Sequence, residues 1–361
     1  MAIELSFIFF SSFTTLFVMR KVAKKVGLVD KPNARKQHEG LVPLVGGLSI
    51  CIVLLQYFLF RQDIMPHSNL YLLSILVLTI VGALDDRFDL SVKTRMIIQA
   101  LLSLLMIHQT GISLDNLGNI LGTGTINLGY FGIALTIVAV IGAINAFNMV
   151  DGIDGLLGGL SVVTFGGLAI LLHVDSQHGL AYLCLVITVA MVPYIFMNLG
   201  ILGRKRKVFM GDAGSMLIGF TVIWLLLGVS QTTAKPLMRP VTGLWLIAIP
   251  LMDMAAIMIR RIRRGSSPFK PDREHLHHIF QRLGLTSRQT LCVICSFSSL
   301  FAAFGIYGEA NQWPESIMFF SFIICFCIYS TLLNYVWRIT TYFRKLRGMP
   351  EKVFETQSSI K

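Results

Sequence analysis

Charged side chains are scarce in this sequence. Asp, Glu, Lys and Arg together make up 14% of the 361 residues, whereas hydrophobic residues make up 54%. A soluble domain usually carries about 25% charged residues. A chain this poor in charge cannot cover a water-facing surface of ordinary polarity. A large soluble domain is therefore excluded, and a lipid bilayer is the expected solvent.

The sequence also has no repeat of fixed period, and its only low-complexity segment is the polar tail after about Arg347. All six cysteines lie in apolar stretches. Cys292-x-x-Cys295 has the spacing of a redox or zinc motif, but inside an apolar helix it is better interpreted as a pair of packing thiols. The cysteines therefore carry no functional prediction.

Long apolar windows recur along the chain, most of them long enough for the roughly 20 residues that cross a bilayer core. They predict eleven transmembrane helices, at about 3–19, 42–60, 66–84, 96–114, 128–147, 155–173, 179–199, 214–231, 241–259, 289–307 and 317–337. The predicted fold class is an all-α polytopic membrane bundle over 1–340, followed by a tail at 341–361. We interpret the first span as a retained helix and not a cleaved signal peptide, because ten more follow it.

Basic residues lie almost entirely on one side of this predicted bundle. Eleven spans put the termini on opposite sides, and the loops on the C-terminal side hold 28 of the 31 Lys and Arg residues. The positive-inside rule then predicts a cytoplasmic C-terminus and an external N-terminus. The net charge of +12 is explained by these juxtamembrane residues, which favour anionic headgroups, without invoking nucleic acid.

Acidic residues number only 19, and several gather at the predicted cytoplasmic helix ends. Asp85, Asp86 and Asp89 close the third span. Carboxylates held so close together disfavour ionisation unless a cation sits among them. A solvated helix terminus is the alternative, but paired aspartates at a helix C-terminus oppose the helix dipole.

A second polar string closes the fifth span. It contains Asn145, Asn148, Asp151 and Asp154, and each of the two aspartates is followed by glycine. Glycine permits a sharp turn and a close approach of a bulky ligand. A plain Asp-Gly turn with Asp154 capping a helix is the alternative. Two such turns beside two amides nevertheless predict a loop that holds a ligand.

The string Val208-Phe-Met-Gly-Asp212-Ala-Gly-Ser215 leads into the eighth span after a basic run. A helix N-terminus of this composition offers backbone N–H groups to phosphate and a carboxylate to a metal. Helix capping alone would also explain it.

A basic loop follows the ninth span and contains Arg261, Arg264, His275, His277 and His278. Zinc binding is one interpretation, although no Cys lies near. A flank that only sets the topology is another. Arg and His on the same side as the acids also suit recognition of a diphosphate.

Carboxylates and phosphate-binding cations are thus predicted at one membrane face. Carboxylate oxygens select Mg²⁺ or Mn²⁺, and Mg²⁺ commonly takes one or two carboxylates plus substrate phosphates. Phosphoryl transfer needs mainly a metal, cations and in-line positioning. A soluble nucleotide donor and a lipid phosphate could meet only at such a face, which predicts a phosphoryl transferase.

The four strings also resemble, in the same order, those of the polyprenyl-phosphate N-acetylhexosamine-1-phosphate transferases. The resemblance covers about residues 1–340, and His275-Leu-His-His is similar to the bacterial branch that uses UDP-GlcNAc and undecaprenyl phosphate. The family's peptidoglycan branch has Thr-Pro-Thr-Met-Gly-Gly where this chain reads Val42-Pro-Leu-Val-Gly-Gly47. This departure argues against a peptidoglycan role.

The resemblance implies transfer of GlcNAc-1-phosphate from UDP-GlcNAc to undecaprenyl phosphate, with UMP as the second product. This is the first lipid-linked step of O-antigen or enterobacterial common antigen-type polysaccharide synthesis. It further implies a multi-pass protein of the bacterial inner membrane with a periplasmic N-terminus and a cytoplasmic active site. A homodimer is compatible with it, although no residue pattern argues for one.

The resemblance also implies roles for individual residues. Asp212 would be the principal ligand of Mg²⁺ or Mn²⁺. Asp85 or Asp86 would deprotonate or orient the lipid phosphate, or help to hold the metal. Asp151 and Asp154 would complete the nucleotide and metal site, and Phe209 would stack on uracil, an apolar anchor being the alternative. The residues implied to contact the donor or its phosphates are Asn145, Asn148, Arg261, Arg264, His275, His277, His278, Lys36 and His38.

Three other functions fit the sequence less well. An ion-coupled transporter usually has its acids near the bilayer midplane between internal repeats, whereas only Asp253 lies within a predicted span here. A CDP-alcohol phosphotransferase has a longer acidic signature than the one that ends at Asp154. A scaffold protein would not need five acids at one face. Within the favoured family, a sister enzyme that uses another UDP-N-acetylhexosamine remains the alternative.

Overall fold

A computed structural model of the chain describes residues 1–30, 40–231, 236–269 and 275–335. Over these residues the protein is almost entirely helical. The helices are α1 (Ala2–Val26), α2 (Gly46–Phe60), α3 (Ser68–Phe88), α4 (Val92–Thr110), α5 (Phe131–Val150), α6 (Leu156–Val174), α7 (His178–Asn198), α8 (Gly211–Ser230), α9 (Pro240–Leu246), α10 (Ala248–Arg263), α11 (Leu276–Arg282), α12 (Ser287–Ala310) and α13 (Glu315–Asn334). Single 3₁₀ turns lie at Gln62–Ile64 and Arg204–Arg206.

Helix α8 lies at the centre of the bundle, and 94% of its apolar stretch is buried. It packs against α2, α3 and α5. Glycines allow two of these contacts, because a Cβ on Gly47 would lie 2.1 Å from the nitrogen of Gly214, and one on Gly82 would lie 2.3 Å from that of Ala213. Small residues commonly let membrane helices approach this closely. The contacts bring the ends of α2 and α3 against the first turn of α8.

The predicted span at 241–259 is not one straight helix. It consists of α9 and α10, which meet at an angle of 84°. Pro250 lacks the N–H that would bond to the carbonyl of Leu246, and a proline ring clashes with that carbonyl in a continuous helix. The freed Leu246 oxygen accepts a hydrogen bond from the Thr164 hydroxyl at 3.1 Å. The break is thus satisfied within the protein, as non-helical backbone at membrane depth must be.

A small sheet interrupts the helical pattern at the end of the bundle where α1 finishes and α2 begins. Strands β1 (Val29–Asp30) and β2 (Val42–Pro43) pair antiparallel, and Leu44 forms a parallel bridge with Phe209. The span predicted to start at residue 42 therefore starts as a strand, and α2 keeps only 15 helical residues. The sheet ties the start of α2 to the segment that precedes α8.

Every predicted span coincides with a helix or with the bent pair. Among the described residues, eight helices are long and apolar enough to cross a membrane, or nine if the bent pair counts as one span. Helix α2 is too short for this class, and α4 carries Lys93 and Arg95 in its first turn. The prediction of an all-α polytopic membrane protein is confirmed, while the count of eleven crossings stays a prediction.

Candidate active site

Asp86, in the last turn of α3, caps the N-terminus of α8. One of its carboxylate oxygens accepts the backbone N–H of Asp212 at 2.9 Å, and the other accepts that of Ala213 at 3.4 Å. The first N–H groups of a helix have no partner within the helix, and their partial positive charge favours a carboxylate. Asp86 therefore joins the two acidic strings that were predicted to converge.

Asp85 lies on the buried side of the same turn. Its carboxylate contacts the Arg95 guanidinium at 2.5 Å, and the same Arg95 nitrogen lies 3.8 Å from the Asp212 carboxylate. Arg95 is thus shared between two acids. The Asp85 side chain is 3% exposed, whereas that of Asp212 is 34% exposed. Asp212 is therefore the carboxylate of this pair that an incoming ligand can reach.

Asn148, in the last turn of α5, holds Asp212 from the other side. Its amide donates to Asp212 Oδ1 at 2.6 Å and contacts the Ser215 hydroxyl at 2.8 Å. The orientation of Asp212 is therefore fixed by a second helix. Asn145, one turn deeper, instead donates to the Ile141 carbonyl at 2.7 Å and lies 3.4 Å from the Gln99 amide oxygen. Its described hydrogen bonds lead to α4 and α5, away from the acids.

Arg95 is placed against two of the three clustered carboxylates, Asp85 and Asp212, whereas Asp86 contacts backbone N–H groups. Within the described residues, no three Asp, Glu, His or Cys side chains are arranged to hold a metal ion by themselves. Mg²⁺ ordinarily uses one or two protein carboxylates and takes its other ligands from water and substrate phosphate. The half-exposed Asp212 fits such a metal, whereas Asp86 already accepts hydrogen bonds from the backbone with both of its oxygens.

The Asp-Gly loop between α5 and α6 is tied to the segment before α8. Asn198, at the end of α7, accepts the N–H of Gly155 at 2.5 Å and donates to the Val208 carbonyl at 2.9 Å. Gly155 has a φ of 79°, a conformation that favours glycine. The predicted tight loop is thus present, and a buried Asn that the sequence analysis did not name stabilises it.

Lys207 reaches from the basic run to this loop. Its ammonium lies 2.6 Å from the Asp154 carboxylate and 5.1 Å from the centre of the Phe209 ring. The Phe209 backbone is held by the start of α2, since its N–H donates to the Pro43 carbonyl at 2.9 Å. Lys207, Asp154 and the half-buried Phe209 ring therefore lie together on the loops beside the acid cluster. Asp151, on the same loop, is exposed.

The histidines lie around the first turn of α11. His275 contacts the buried Asp253 through Nδ1 at 2.8 Å. A Cβ on Gly152 would lie 2.1 Å from the His277 ring, so that ring packs directly on the Asp-Gly loop. His278 is half-buried, and its ring centre lies 4.1 Å from that of His277. The histidine string is therefore in contact with the loop that carries Asp151 and Asp154.

Burial and the neighbouring His278 lower the pKa of His277 to about 3. His277 is therefore neutral at physiological pH. Its Nε2 atom is buried, and no described group hydrogen-bonds to it.

The remaining predicted contacts are spread along the basic loop. The buried Arg261 donates to the Pro268 carbonyl at 2.6 Å, which stabilises the loop that follows α10. Arg264 is exposed at the end of that helix. Lys36 and His38 lie outside the described residues.

Four residues of the site were missed or undervalued by the sequence analysis: Arg95, Asn198, Asp253 and Tyr329. Arg95 was counted only as a topological charge of the loop before the span at 96–114, whereas α4 begins at Val92 and includes Arg95 in its first turn. Asp253 was noted as the one acid within a span, and its buried position called for a partner. Nothing in the sequence pairs it with Tyr329.

Comparison with known proteins decides the family. The profile of "Glycosyl transferase family 4" matches residues 69–230. The chain is 51% identical to the undecaprenyl-phosphate alpha-N-acetylglucosaminyl 1-phosphate transferase of Yersinia pestis over 96% of its own length and 95% of the relative's. It is 50% identical to the protein of that name in Escherichia coli K12, over 93% of its own length and 92% of the relative's. It is 51% identical to the protein of that name in Haemophilus influenzae, over 96% of its own length and 97% of the relative's. The chain belongs to glycosyl transferase family 4.

The family 4 profile covers α3 to α8 and therefore includes Asp85, Asp86, Asn148, Asp154 and Asp212. The histidines and Asp253 lie beyond it, in the part of the chain that only the nearly full-length relatives match. The family resemblance noted in the sequence is thereby confirmed. This family 4 protein carries its acid cluster and its histidine string at the same end of the bundle.

Proposed function

We propose that this family 4 protein transfers GlcNAc-1-phosphate from UDP-GlcNAc to undecaprenyl phosphate, giving GlcNAc-diphospho-undecaprenol and UMP. One observation carries the proposal. The half-exposed Asp212 is held between Asn148 and Arg95 at a helix N-terminus, in a chain about half identical to transferases of this name. The site offers a reachable carboxylate and a cation, which suit phosphoryl transfer.

In this reaction an oxygen of the lipid phosphate attacks the β-phosphorus of UDP-GlcNAc. The bond from that phosphorus to the bridging oxygen breaks, and its electron pair leaves with UMP. Arg95 would attract the phosphates, and Asp85 or Asp86 would orient the lipid phosphate or accept its proton. Lys207 and Phe209 would receive the uridine end beside Asp154, with Asp151 facing the same nucleotide. The buried Arg261, the exposed Arg264 and the histidines would grip the diphosphate and sugar.

A divalent metal, Mg²⁺ or Mn²⁺, would neutralise phosphate charge when bound. Asp212 would be its main protein ligand, and Asp85 or Asp86 would assist. Asp212→Asn should remove metal-dependent activity without disturbing the fold, because its backbone N–H still donates to Asp86.

We also propose the setting of the reaction. Eleven crossings, with bent α9–α10 as one of them, would put the N-terminus in the periplasm and the tail at 341–361 in the cytoplasm. The 28 Lys and Arg residues on the C-terminal side support this orientation. The active site would then face the cytoplasm from the bacterial inner membrane. The product would enter O-antigen or enterobacterial common antigen-type synthesis, and a homodimer stays a prediction.

The test is UMP release by purified protein in detergent with Mg²⁺, undecaprenyl phosphate and a panel of UDP-sugars. Release with UDP-GlcNAc alone is expected. Release only with another UDP-N-acetylhexosamine would keep the reaction and replace the donor, which is the sister-enzyme alternative. No release with any donor from folded protein would overturn the proposed function.

A further inference from the structure

Asp253 is a buried carboxylate for which the proposed reaction has no role. It lies in α10 and is 1% exposed. Three donors from different parts of the chain point at it: the His275 ring, the backbone N–H of Leu276 and the Tyr329 hydroxyl. Burying an ionised carboxylate is costly unless it is hydrogen-bonded or paired. Three hydrogen bonds therefore compensate for the burial of Asp253, and two of them hold the start of the histidine helix α11.

The two oxygens of Asp253 divide these donors unequally. Oδ1 accepts the Leu276 N–H at 3.1 Å and the Tyr329 hydroxyl at 2.5 Å. Among the described residues, Oδ2 contacts only the His275 ring, through Nδ1 at 2.8 Å. An ionised carboxylate can only accept, so the proton of His275 must be on Nδ1. Nε2 is then the nitrogen left for another partner.

The same contacts fix the position of the ring. The Leu276 N–H is one of the first donors of α11, so Asp253 anchors that helix and the histidine that precedes it. The His275 ring lies nearly parallel to that of His277, with 5.9 Å between their centres. His277 packs on Gly152, in the loop between Asp151 and Asp154. Asp253 is thus connected to the proposed donor site through two histidines.

We propose that Asp253 is a positioning residue. It holds His275 in the Nδ1–H tautomer and in one orientation, so that Nε2 meets the UDP-GlcNAc donor. This inference rests on the proposed function for the identity of the donor. Tyr329 and Leu276 serve it by donating to Oδ1, while Oδ2 accepts the hydrogen bond from His275.

Asp253→Asn is a sharp test because it preserves shape and changes only the hydrogen-bond pattern. Two donors already point at Oδ1, so the amide oxygen takes that place and the amide NH₂ faces His275 Nδ1. Nδ1 must then accept, and the proton moves to Nε2. The expected result is at least a tenfold loss of UDP-GlcNAc affinity, measured with labelled donor and purified protein in Mg²⁺-containing detergent. Tyr329→Phe keeps the carboxylate–histidine bond and should cost less than threefold.

A double-mutant cycle separates positioning from a general structural effect. If Asp253 acts through His275, Asp253→Asn should change donor affinity by less than twofold in a His275→Ala background. An equal loss in both backgrounds, or no loss in the wild-type background, would overturn the inference. Absence of donor binding by the wild-type protein would instead count against the proposed function.

The tautomer itself gives a readout in the wild-type protein that does not depend on donor binding. ¹⁵N spectra of histidine-labelled wild-type protein, assigned with His275→Ala, should show the His275 proton on Nδ1. A proton on Nε2 alone would overturn the inference even if the protein were fully active.

Discussion

Asp86 and Asp212 are joined by a hydrogen bond in which the Asp86 carboxylate accepts the backbone N–H of Asp212 at 2.9 Å. The two residues lie 126 positions apart, at the end of α3 and the start of α8. One acid of the cluster therefore caps the helix that presents another. The position of the reachable carboxylate depends on this bond, so the capping acid and the exposed acid can be separated by mutation.

Asp86→Asn should destabilise the protein by about 1–2 kcal/mol, as the loss of a helix cap does. The two Asp86 oxygens accept the N–H groups of Asp212 and Ala213. In the Asn variant the side-chain NH₂ replaces one of these oxygens, so one backbone N–H loses its acceptor. Thermal unfolding in detergent measures the loss. Asp89→Asn is the matched control, because Asp89 is exposed at the end of the same helix, with a φ of 53° that Asn also tolerates. Equal melting temperatures for the two variants would contradict the capping role.

Arg95→Met should destabilise the protein by about 3 kcal/mol. This is the lower end of the cost of leaving a buried charge unpaired, and the lower end applies because Arg95 is partly exposed. The cause is the buried Asp85 carboxylate, which loses its partner at 2.5 Å. Adding Asp85→Asn should recover most of the melting temperature without recovering activity. If the double variant is no more stable than Arg95→Met, the ion pair is not what stabilises this turn.

Lys207→Met should raise the KM for the nucleotide donor roughly fivefold, which corresponds to about 1 kcal/mol for a partly exposed ion pair. Lys207 holds the Asp154 carboxylate at 2.6 Å and lies over the Phe209 ring. Steady-state kinetics with varied UDP-GlcNAc measure the change. Lys205→Met, in the same basic run and exposed, should leave the KM unchanged. A similar rise in both variants would indicate a general effect of charge.

Stability should fall in acid because His277 resists protonation. Its burial, and secondarily His278, lower its pKa from 6.5 to about 3. Below about pH 6.5 the unfolded chain takes up a proton that the folded protein does not bind. Stability is therefore lost as the pH falls from about 6.5 towards 3, with a slope approaching about 1.4 kcal/mol per pH unit.

Melting temperatures between pH 7.5 and 4.5 test this expectation. His277→Gln should flatten the decline, since a neutral amide does not titrate, whereas the exposed His178→Gln should leave it as steep as in the wild type. A decline that is equally steep with Gln at position 277 would assign the acid sensitivity to other groups.

The convergence of the acids could be predicted from the sequence because successive spans cross the membrane in alternate directions. The ends of the third and fifth spans and the start of the eighth are therefore expected at the same membrane face. Asp85, Asn148 and Asp212 close or open three different helices, and all three contribute to one cluster. Hydropathy and charge are sufficient for that prediction. The capping bond of Asp86 lay beyond them, because it depends on how closely Gly82 lets α3 approach α8.

Other features could not be predicted from apolar windows. The bend between α9 and α10 follows from Pro250 and from the hydrogen bond that the Thr164 hydroxyl donates to the Leu246 carbonyl. Hydropathy detects neither feature. The partners of Asp253 come from residues 22 and 76 positions away, so only the packed structure brings them together. The role of Arg95 is not evident from the sequence, because a basic residue that flanks a transmembrane span is usually explained by the topology alone.

A sugar-phosphate transferase moves the β-phosphorus of UDP-GlcNAc to the lipid together with the sugar, whereas a sugar transferase moves the sugar alone. The most direct measurement uses UDP-GlcNAc labelled with ³²P at the β-phosphorus and with ³H in the sugar, incubated with undecaprenyl phosphate, Mg²⁺ and purified protein. Both labels should move into the lipid fraction in equal amounts, with UMP as the released nucleotide, and Asp212→Asn should stop both. Transfer of ³H alone, with ³²P remaining in released UDP, would contradict the account.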